Sequence, residues 1–181
     1  RLRSTLRVFG KLLDQEAVGH VEDELKWFAA ELGEVRDRQV QRRRFRAALK
    51  ELPPELVLGP VATRIDTDLK SDQLRARARV TDVMGSQRYL ELLARLQRWR
   101  SAPPVATPPS MKALAKRARR AQRKADRRLV AAVEAGENEL LHSARKAAKR
   151  ARYAAELLTP VDKKAKRTAK HYKQFQRLLG D

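Results

Sequence analysis

The sequence has no cysteine, so it can form neither a disulfide framework nor a thiolate metal site. Aromatic residues make up 5% of its 181 residues and glycine occurs only seven times. No apolar run approaches the roughly 20 residues that a membrane-spanning helix needs, and no signal-peptide pattern is visible. These absences predict a cytoplasmic protein that has no membrane partner.

Acidic residues are also scarce relative to basic ones. Lys and Arg total 42 against 22 Asp and Glu, which gives a formal net charge of +20 and a pI near 11.1. Residues 111–181 hold 21 basic and 7 acidic residues, whereas residues 1–110 hold 21 and 15. A charge of this size indicates a polyanionic partner rather than a particular fold. Hydrophobic residues are 42% of the chain, which is enough for a packed core.

The apolar residues recur at helical spacing, and no stretch alternates with the period of a strand. We therefore predict an all-α fold. Proline-rich SAPPVATPPS (101–110) cannot lie inside a helix and separates a first half, 1–100, from a second half, 111–181. The predicted helices cover 1–13, 21–49, 61–83, 87–99, 111–135, a sixth helix N-capped by Asn138 that ends before Pro160, and 163–179.

The predicted core faces follow from the same periodicity. In the fourth helix, Leu90, Leu93 and Leu96 are expected to point inward. The fifth helix carries a core-facing stripe whose members lie within about a third of a turn. This stripe consists of Met111, Leu114, Ala115, Ala118, Ala121, Ala125, Leu129, Ala132 and Val133.

The segment HSARKAAKRARYAAELL (142–158) concentrates like charge on one side of the sixth helix. At 100° per residue, one side holds alanines and Leu158, and the other side holds His142, Tyr153 and five cations. Like-charge pairs within this helix cost on the order of 1–2 kcal/mol in total. A solvated surface usually mixes both signs, so a face of one sign favours anion binding. The cations are Arg145, Lys146, Lys149, Arg150 and Arg152.

The residue types indicate which part of an anionic partner would be contacted. Arg and Lys suit phosphate oxygens, whereas base reading calls for amide side chains or aromatic stacking platforms. Few aromatic residues lie near the basic faces, so we expect contacts to phosphate without sequence reading. A duplex, a single strand and a plain phosphate polymer all remain open on this argument.

Two pairs of motifs resemble one known family. HSARKAAKRARYAAELL followed by Pro160 is similar to the histidine-bearing signature helix of the CHAD family, the conserved histidine α-helical domain. FQRLLGD (175–181) is similar to the motif that ends the family's next helix. RLRSTLRVFGKLL (1–13) and LGEVRD (32–37) are similar to the same two motifs, with nearly the same spacing, which predicts an internal duplication.

The resemblance implies a single domain over 1–181, truncated at its N-terminus. It also implies two antiparallel helical bundles that are related by a pseudo-twofold axis and share a basic central cavity and surface. The implied function is non-enzymatic binding of inorganic polyphosphate, with fusion to a triphosphate-tunnel (CYTH) domain and association with polyphosphate granules as family traits. Sequence-nonspecific binding of RNA or DNA through the same surface is the alternative.

The binding residues are carried over position by position. Arg36 belongs to the LGEVRD motif. Five cations of the last helix are added by charge alone: Lys163, Lys166, Arg167, Lys170 and Lys173. The matching residues of the signature helix are His142, Arg145, Lys146, Lys149, Arg150, Arg152 and Tyr153, and their first-half counterparts are Arg1, Arg3, Arg7 and Lys11.

Three other functions are disfavoured by the residues. With three histidines, no cysteine and no carboxylate beside His142 on its own face, a metal site is not expected, and no cofactor is expected either. A phosphorelay histidine would not need a net charge of +20. Hydrolysis of polyphosphate would need carboxylates that hold Mg²⁺ near the basic face, and none cluster there in the sequence.

Overall fold

The computed structural model describes residues 1–105 and 107–179, and these residues form helices and no strand. The prediction of an all-α fold is confirmed. Two short 3₁₀ turns, Gly10–Leu12 and Pro54–Leu56, lie between helices. The α-helices are α1 (Leu2–Phe9), α2 (Gln15–Val18), α3 (Val21–Glu51), α4 (Val61–Gly85), α5 (Gln87–Ser101), α6 (Met111–Ala135), α7 (Asn138–Leu158) and α8 (Lys163–Leu178).

Local capping explains where the C-terminal helices begin and end. The Ser110 side chain accepts a hydrogen bond from the Ala113 amide at the start of α6. Gly136 ends α6 with φ 68°, in the left-handed region that glycine adopts without strain. Asp162 caps α8 through the Lys164 amide, as predicted. The predicted cap of α7 was wrong by one residue: Glu137 holds that position without a side-chain bond, and Asn138 is already helical.

The chain divides into two compact units. Unit 1 contains Arg1–Gly19 and Pro104–Asp181, and unit 2 contains His20–Pro103. These bounds differ from the predicted halves because α1 packs on α6 and α7. The predicted duplication of the two halves stays a prediction. None of the described helices is long and apolar enough to cross a membrane.

An alanine-lined seam forms the core of unit 1. Helix α7 packs against α6 and α8, and its buried residues are those that the helical wheel predicted: Ala144, Ala147, Ala148, Ala151, Ala154, Ala155 and Leu158. Phe9 of α1 is 3% exposed and packs with Ala118, Ala154 and Leu158. Small side chains let these helices approach closely, which brings the charged residues along the seam's edges near one another.

The predicted stripe of α6 is only partly buried. Ala118, Ala125 and Ala132, which are seven residues apart, are buried. Val133 is 70% exposed, because it lies about 100° around the helix from the Ala132 line. Met111, the first residue of α6, is 49% exposed. The stripe was therefore predicted too wide at Val133, whereas Met111 lies on the line of the buried alanines, seven residues before Ala118, and is exposed at the start of the helix.

Unit 2 is formed by α3, α4 and α5. Its inward residues on α5 are Tyr89, Leu92, Leu96 and Trp99, of which Leu92 is buried and the others are half-buried. The prediction that Leu90 and Leu93 point inward was wrong, since both are exposed. The ring of Tyr89 lies 4.9 Å from that of Phe28 on α3, which fixes this orientation.

Candidate anion-binding cleft

Helices α1, α6 and α7 enclose a cleft of about 240 Å³ in unit 1. Its wall contains three small or apolar residues, Val8, Ala121 and Ala147, and no carboxylate lines it among the described residues. We call this feature the cationic cleft. Its six basic residues are Arg7, Lys11, Arg117, Arg120, Lys124 and Arg150.

Helix geometry explains why these side chains converge. Arg117, Arg120 and Lys124 recur at spacings of three and four residues, so they lie on one side of α6. Arg7 and Lys11 are also four residues apart, at the junction of α1 with the 3₁₀ turn that follows it. The two alanines of the wall allow the helices to approach closely enough for both sets to face the same space.

The pKa of Lys124 shows that this cleft residue is surrounded by positive charge. Arg128 lowers it most, followed by partial burial and then by Arg150, Arg120 and Arg127, so that it falls below the ordinary value of 10.5. All four charged groups that act on Lys124 are cations, and one of them belongs to the neighbouring helix α7. A bound anion would relieve this repulsion and would meet donors from three helices.

The structure brings three of the predicted site residues into the cleft: Arg7, Lys11 and Arg150. Arg7 and Lys11 of the predicted first half therefore line the same cleft as Arg150 of the predicted second half. The sequence argument left out the three α6 cations of the cleft from its binding set. Their spacing on one face of a helix was a signal that could have identified them.

A second group of predicted residues lies where α1 crosses α7. The Arg1 Nε lies 3.9 Å from a Glu156 oxygen, and its guanidinium lies 5.6 Å from the centre of the Tyr153 ring. The Arg152 side chain is 16% exposed and its Nε lies 3.1 Å from Glu156. Arg152 also donates a 2.7 Å hydrogen bond to the Gln176 side-chain oxygen of α8.

These contacts tie Arg152 to the packing of α7 on α8. The guanidinium of Arg152 lies 4.8 Å from the Tyr153 ring, which is therefore near two arginines. Arg3 is half-buried, and its Nε is buried without a hydrogen-bond acceptor among the described residues. In this arrangement Arg152 positions helices, Tyr153 is half-buried and Arg1 is exposed.

The N-terminal part of α7 carries four more of the predicted residues. His142, Lys146 and Lys149 are exposed, and Arg145 is half-buried. None of these four lines the cationic cleft. His142 is eight residues from Arg150, or about 12 Å along the helix.

The remaining predicted residues lie on α8 and α3. Arg167 lines a groove between α6 and α8 together with Asp126, His171 and Tyr172. Lys163, Lys166, Lys170 and Lys173 are exposed on α8. Arg36 is exposed on α3 of unit 2. The last two residues of the FQRLLGD motif, Gly180 and Asp181, lie outside the described residues.

Potential metal ligands do not converge in the part of the chain that the structure describes. No three His, Asp or Glu side chains there form a group that could hold an ion. The described cleft therefore offers donors for an anion and no ligand set for a cation.

Comparison with known proteins adds the family. The family model of the CHAD domain matches residues 1–181. Two uncharacterised proteins of Mycobacterium tuberculosis, from strains CDC 1551 and H37Rv, are each 34% identical to this chain over 197 aligned positions. The alignment covers the whole chain but only 37% of each relative. No solved structure matches. This chain therefore belongs to the CHAD domain family.

Proposed function

We propose that this domain binds inorganic polyphosphate without transforming it, and that the cationic cleft is a principal contact. The observation that carries the proposal is the convergence of six Lys and Arg side chains from three helices, with no carboxylate among the described lining residues. Arginine supplies forked donors and lysine a compact charge, and both suit the oxygens of a phosphate chain.

The lining of the cleft favours a bare phosphate chain over a nucleic acid. Among the described residues, it contains no aromatic side chain on which a base could stack, and no Asn or Gln that could read a base edge. A nucleic acid would have to contact the cleft through its backbone alone. A polyphosphate presents anionic oxygens on every unit and needs no such platform.

The proposal that binding is non-enzymatic rests on the acid content of the same region. Enzymes that transfer phosphoryl groups position Mg²⁺ with carboxylates, and the described lining of the cleft supplies none. Fusion to a CYTH domain and association with polyphosphate granules stay predictions from the family resemblance.

A competition assay tests the proposal. Labelled long-chain polyphosphate is loaded on the domain and challenged with unlabelled polyphosphate, duplex DNA, single-stranded RNA and pyrophosphate at one ionic strength. We expect polyphosphate to displace the label at far lower phosphate concentration than either nucleic acid. Equal displacement by RNA or DNA would replace the proposal with general polyanion binding.

The role of the cleft is tested in the same assay with a double variant. Arg117→Gln with Lys124→Gln removes two cleft charges from one helix. Lys70→Gln with Arg77→Gln removes two exposed charges from α4 of unit 2 and is the matched control. Only the cleft variant should lose affinity beyond the general effect of a lower net charge. Equal losses in both variants would mean that the cleft is not the contact.

A further inference from the structure

The exposed side of α6 carries a second line of basic residues. Lys116, Arg120, Arg123 and Arg127 are all exposed and follow one another at spacings of four, three and four. At 100° per residue they fall within about 60° of one another, and they extend for about 16 Å along the helix. We call this line the outer strip.

The outer strip is continuous with the cationic cleft. A shallow groove is lined by the four basic residues of the strip together with Asp126. Arg120 lines both this groove and the cleft. The remaining cleft residues of α6, Arg117 and Lys124, lie on the adjacent part of the helix surface, so no break separates the two positive surfaces along α6.

Asp126 is the one carboxylate among the described residues that line the outer strip. It accepts a 2.7 Å hydrogen bond from the hydroxyl of Tyr172, which is buried on α8 and also donates to the Gln122 carbonyl. Burial and the contact with Asp126 together raise the pKa of the Tyr172 hydroxyl, so the tyrosine stays a donor at neutral pH. The hydrogen bond holds Asp126 at the α8 edge of the strip.

We infer that the outer strip is a second binding segment for the same polymer, and that a phosphate chain leaving the cationic cleft at Arg120 continues along it. This inference rests on the proposed function and adds a dependence on chain length. A short phosphate fills the cleft alone, whereas a long chain gains the additional contacts of the strip. Affinity should therefore rise with chain length beyond what the cleft provides.

A triple variant tests this inference: Lys116→Gln, Arg123→Gln and Arg127→Gln, which leaves Arg120 in place. The matched control removes three exposed cations of unit 2, Lys70→Gln, Arg77→Gln and Arg100→Gln, and has the same net charge. Binding of triphosphate and of long-chain polyphosphate is measured by titration calorimetry over a range of salt concentrations. Circular dichroism of each variant confirms that its helices are intact.

We expect the strip variant to bind long-chain polyphosphate about tenfold or more weakly than the control does. Its affinity for triphosphate should fall much less, because none of the three substituted residues lines the cleft and only Arg127 acts on a cleft residue, Lys124, through its charge. The slope of log affinity against log salt should fall by about 2 for the long chain, because about 0.7 counterions are released for each phosphate that a cation neutralises.

Equal losses in the strip variant and the control would overturn the inference, because they would show only the effect of net charge. A strip variant that loses triphosphate and long-chain binding in the same proportion would also overturn it, because the strip would then belong to the cleft. If the wild-type domain binds neither ligand, the proposed function itself fails, which the wild-type titration shows separately.

Discussion

Substitution of Lys124 by glutamine should stabilise the unliganded domain while it weakens binding. Three cations of the same helix lie three or four residues from Lys124, namely Arg120, Arg127 and Arg128. Each like-charge pair of this kind costs about 0.2–0.5 kcal/mol, so their removal yields about 0.6–1.5 kcal/mol. Glutamine and lysine have similar helix propensities, so the backbone contributes little to the difference.

The gain should appear as a higher melting temperature by circular dichroism. For a protein of this length, 1 kcal/mol corresponds to about 2–4 °C. The gain should be largest in about 0.01 M salt, where the screening length is about 30 Å, and should nearly vanish in about 1 M salt, where it is about 3 Å. Both tryptophans, Trp27 and Trp99, lie in unit 2, so their fluorescence serves as an internal reference for the unit that is not substituted.

The pH dependence has a definite sign. Because the pKa of Lys124 is lowered in the folded protein, its protonated form costs stability at neutral pH. This cost is relieved as the pH rises through the lowered pKa, so the advantage of the variant should shrink in alkaline solution. Triphosphate at 100 times its dissociation constant should stabilise the wild type by about 2.7 kcal/mol and a tenfold weaker variant by about 1.4 kcal/mol.

The control is Lys26→Gln on α3. Lys26 follows Glu22 and Asp23 by four and three residues, so its removal should lower stability slightly. A Lys124→Gln variant that melts below the wild type at low salt would refute the argument that Lys124 is under repulsion from the neighbouring cations. An advantage that persists unchanged in 1 M salt would also refute it, because its origin would then not be electrostatic.

Three further predictions concern other contacts. Asp126→Asn should raise affinity for long-chain polyphosphate about two- to fivefold in the same titration, whereas Glu134→Gln, elsewhere on α6, should change it less. Asp66 lies 2.6 Å from Arg42 and 2.7 Å from Arg46, and the Arg42 hydrogen bond lowers the pKa of Asp66 from 3.8 to about 2. The ionised Asp66 therefore contributes stability above pH 3.8, and this contribution is lost as the pH falls through about 2. The acid-dependent loss should be seen in the tryptophan fluorescence of unit 2. It should be absent in Asp66→Asn and retained in the control Asp68→Asn. Ala151→Leu should lower the free energy of unfolding in urea by about 1–3 kcal/mol, because Ala151 is fully buried in the seam. The control is Ala131→Leu at an exposed position of α6. Equal stability of the two variants would show that the seam accommodates a larger side chain.

Much of the fold could be predicted because it depends on local periodicity. Proline and glycine marked the ends of α3 and α6, and the spacing of alanines on α7 identified every buried residue of that helix. The same reasoning was wrong for Leu90 and Leu93 on α5, because that helix has apolar residues on two faces and their spacing does not show which face is buried. The contact between Tyr89 and Phe28 selects the face, and it joins residues that are far apart in the sequence.

The candidate site could be predicted only in part, for a related reason. The sequence identified Arg150 as basic and exposed to a ligand, and it identified Arg7 and Lys11 as a stripe. Nothing local connected them with Lys124, because the three segments are separated by many residues and meet only through the packing of α1 on α6 and α7. Arg152 shows the converse, since it belongs to the predicted set but contacts Glu156 and Gln176.

The sequence by itself determined the helices, their alanine faces, the excess of positive charge and the family resemblance, because these depend on spacing and composition along a single segment. Only the tertiary structure decided which cations share one cleft, that the half-buried Arg152 contacts Glu156 and Gln176, and that Arg120 connects the cleft to the outer strip. Those properties depend on the distance between side chains of different helices, and that distance is set by how closely the alanine seam lets the helices pack.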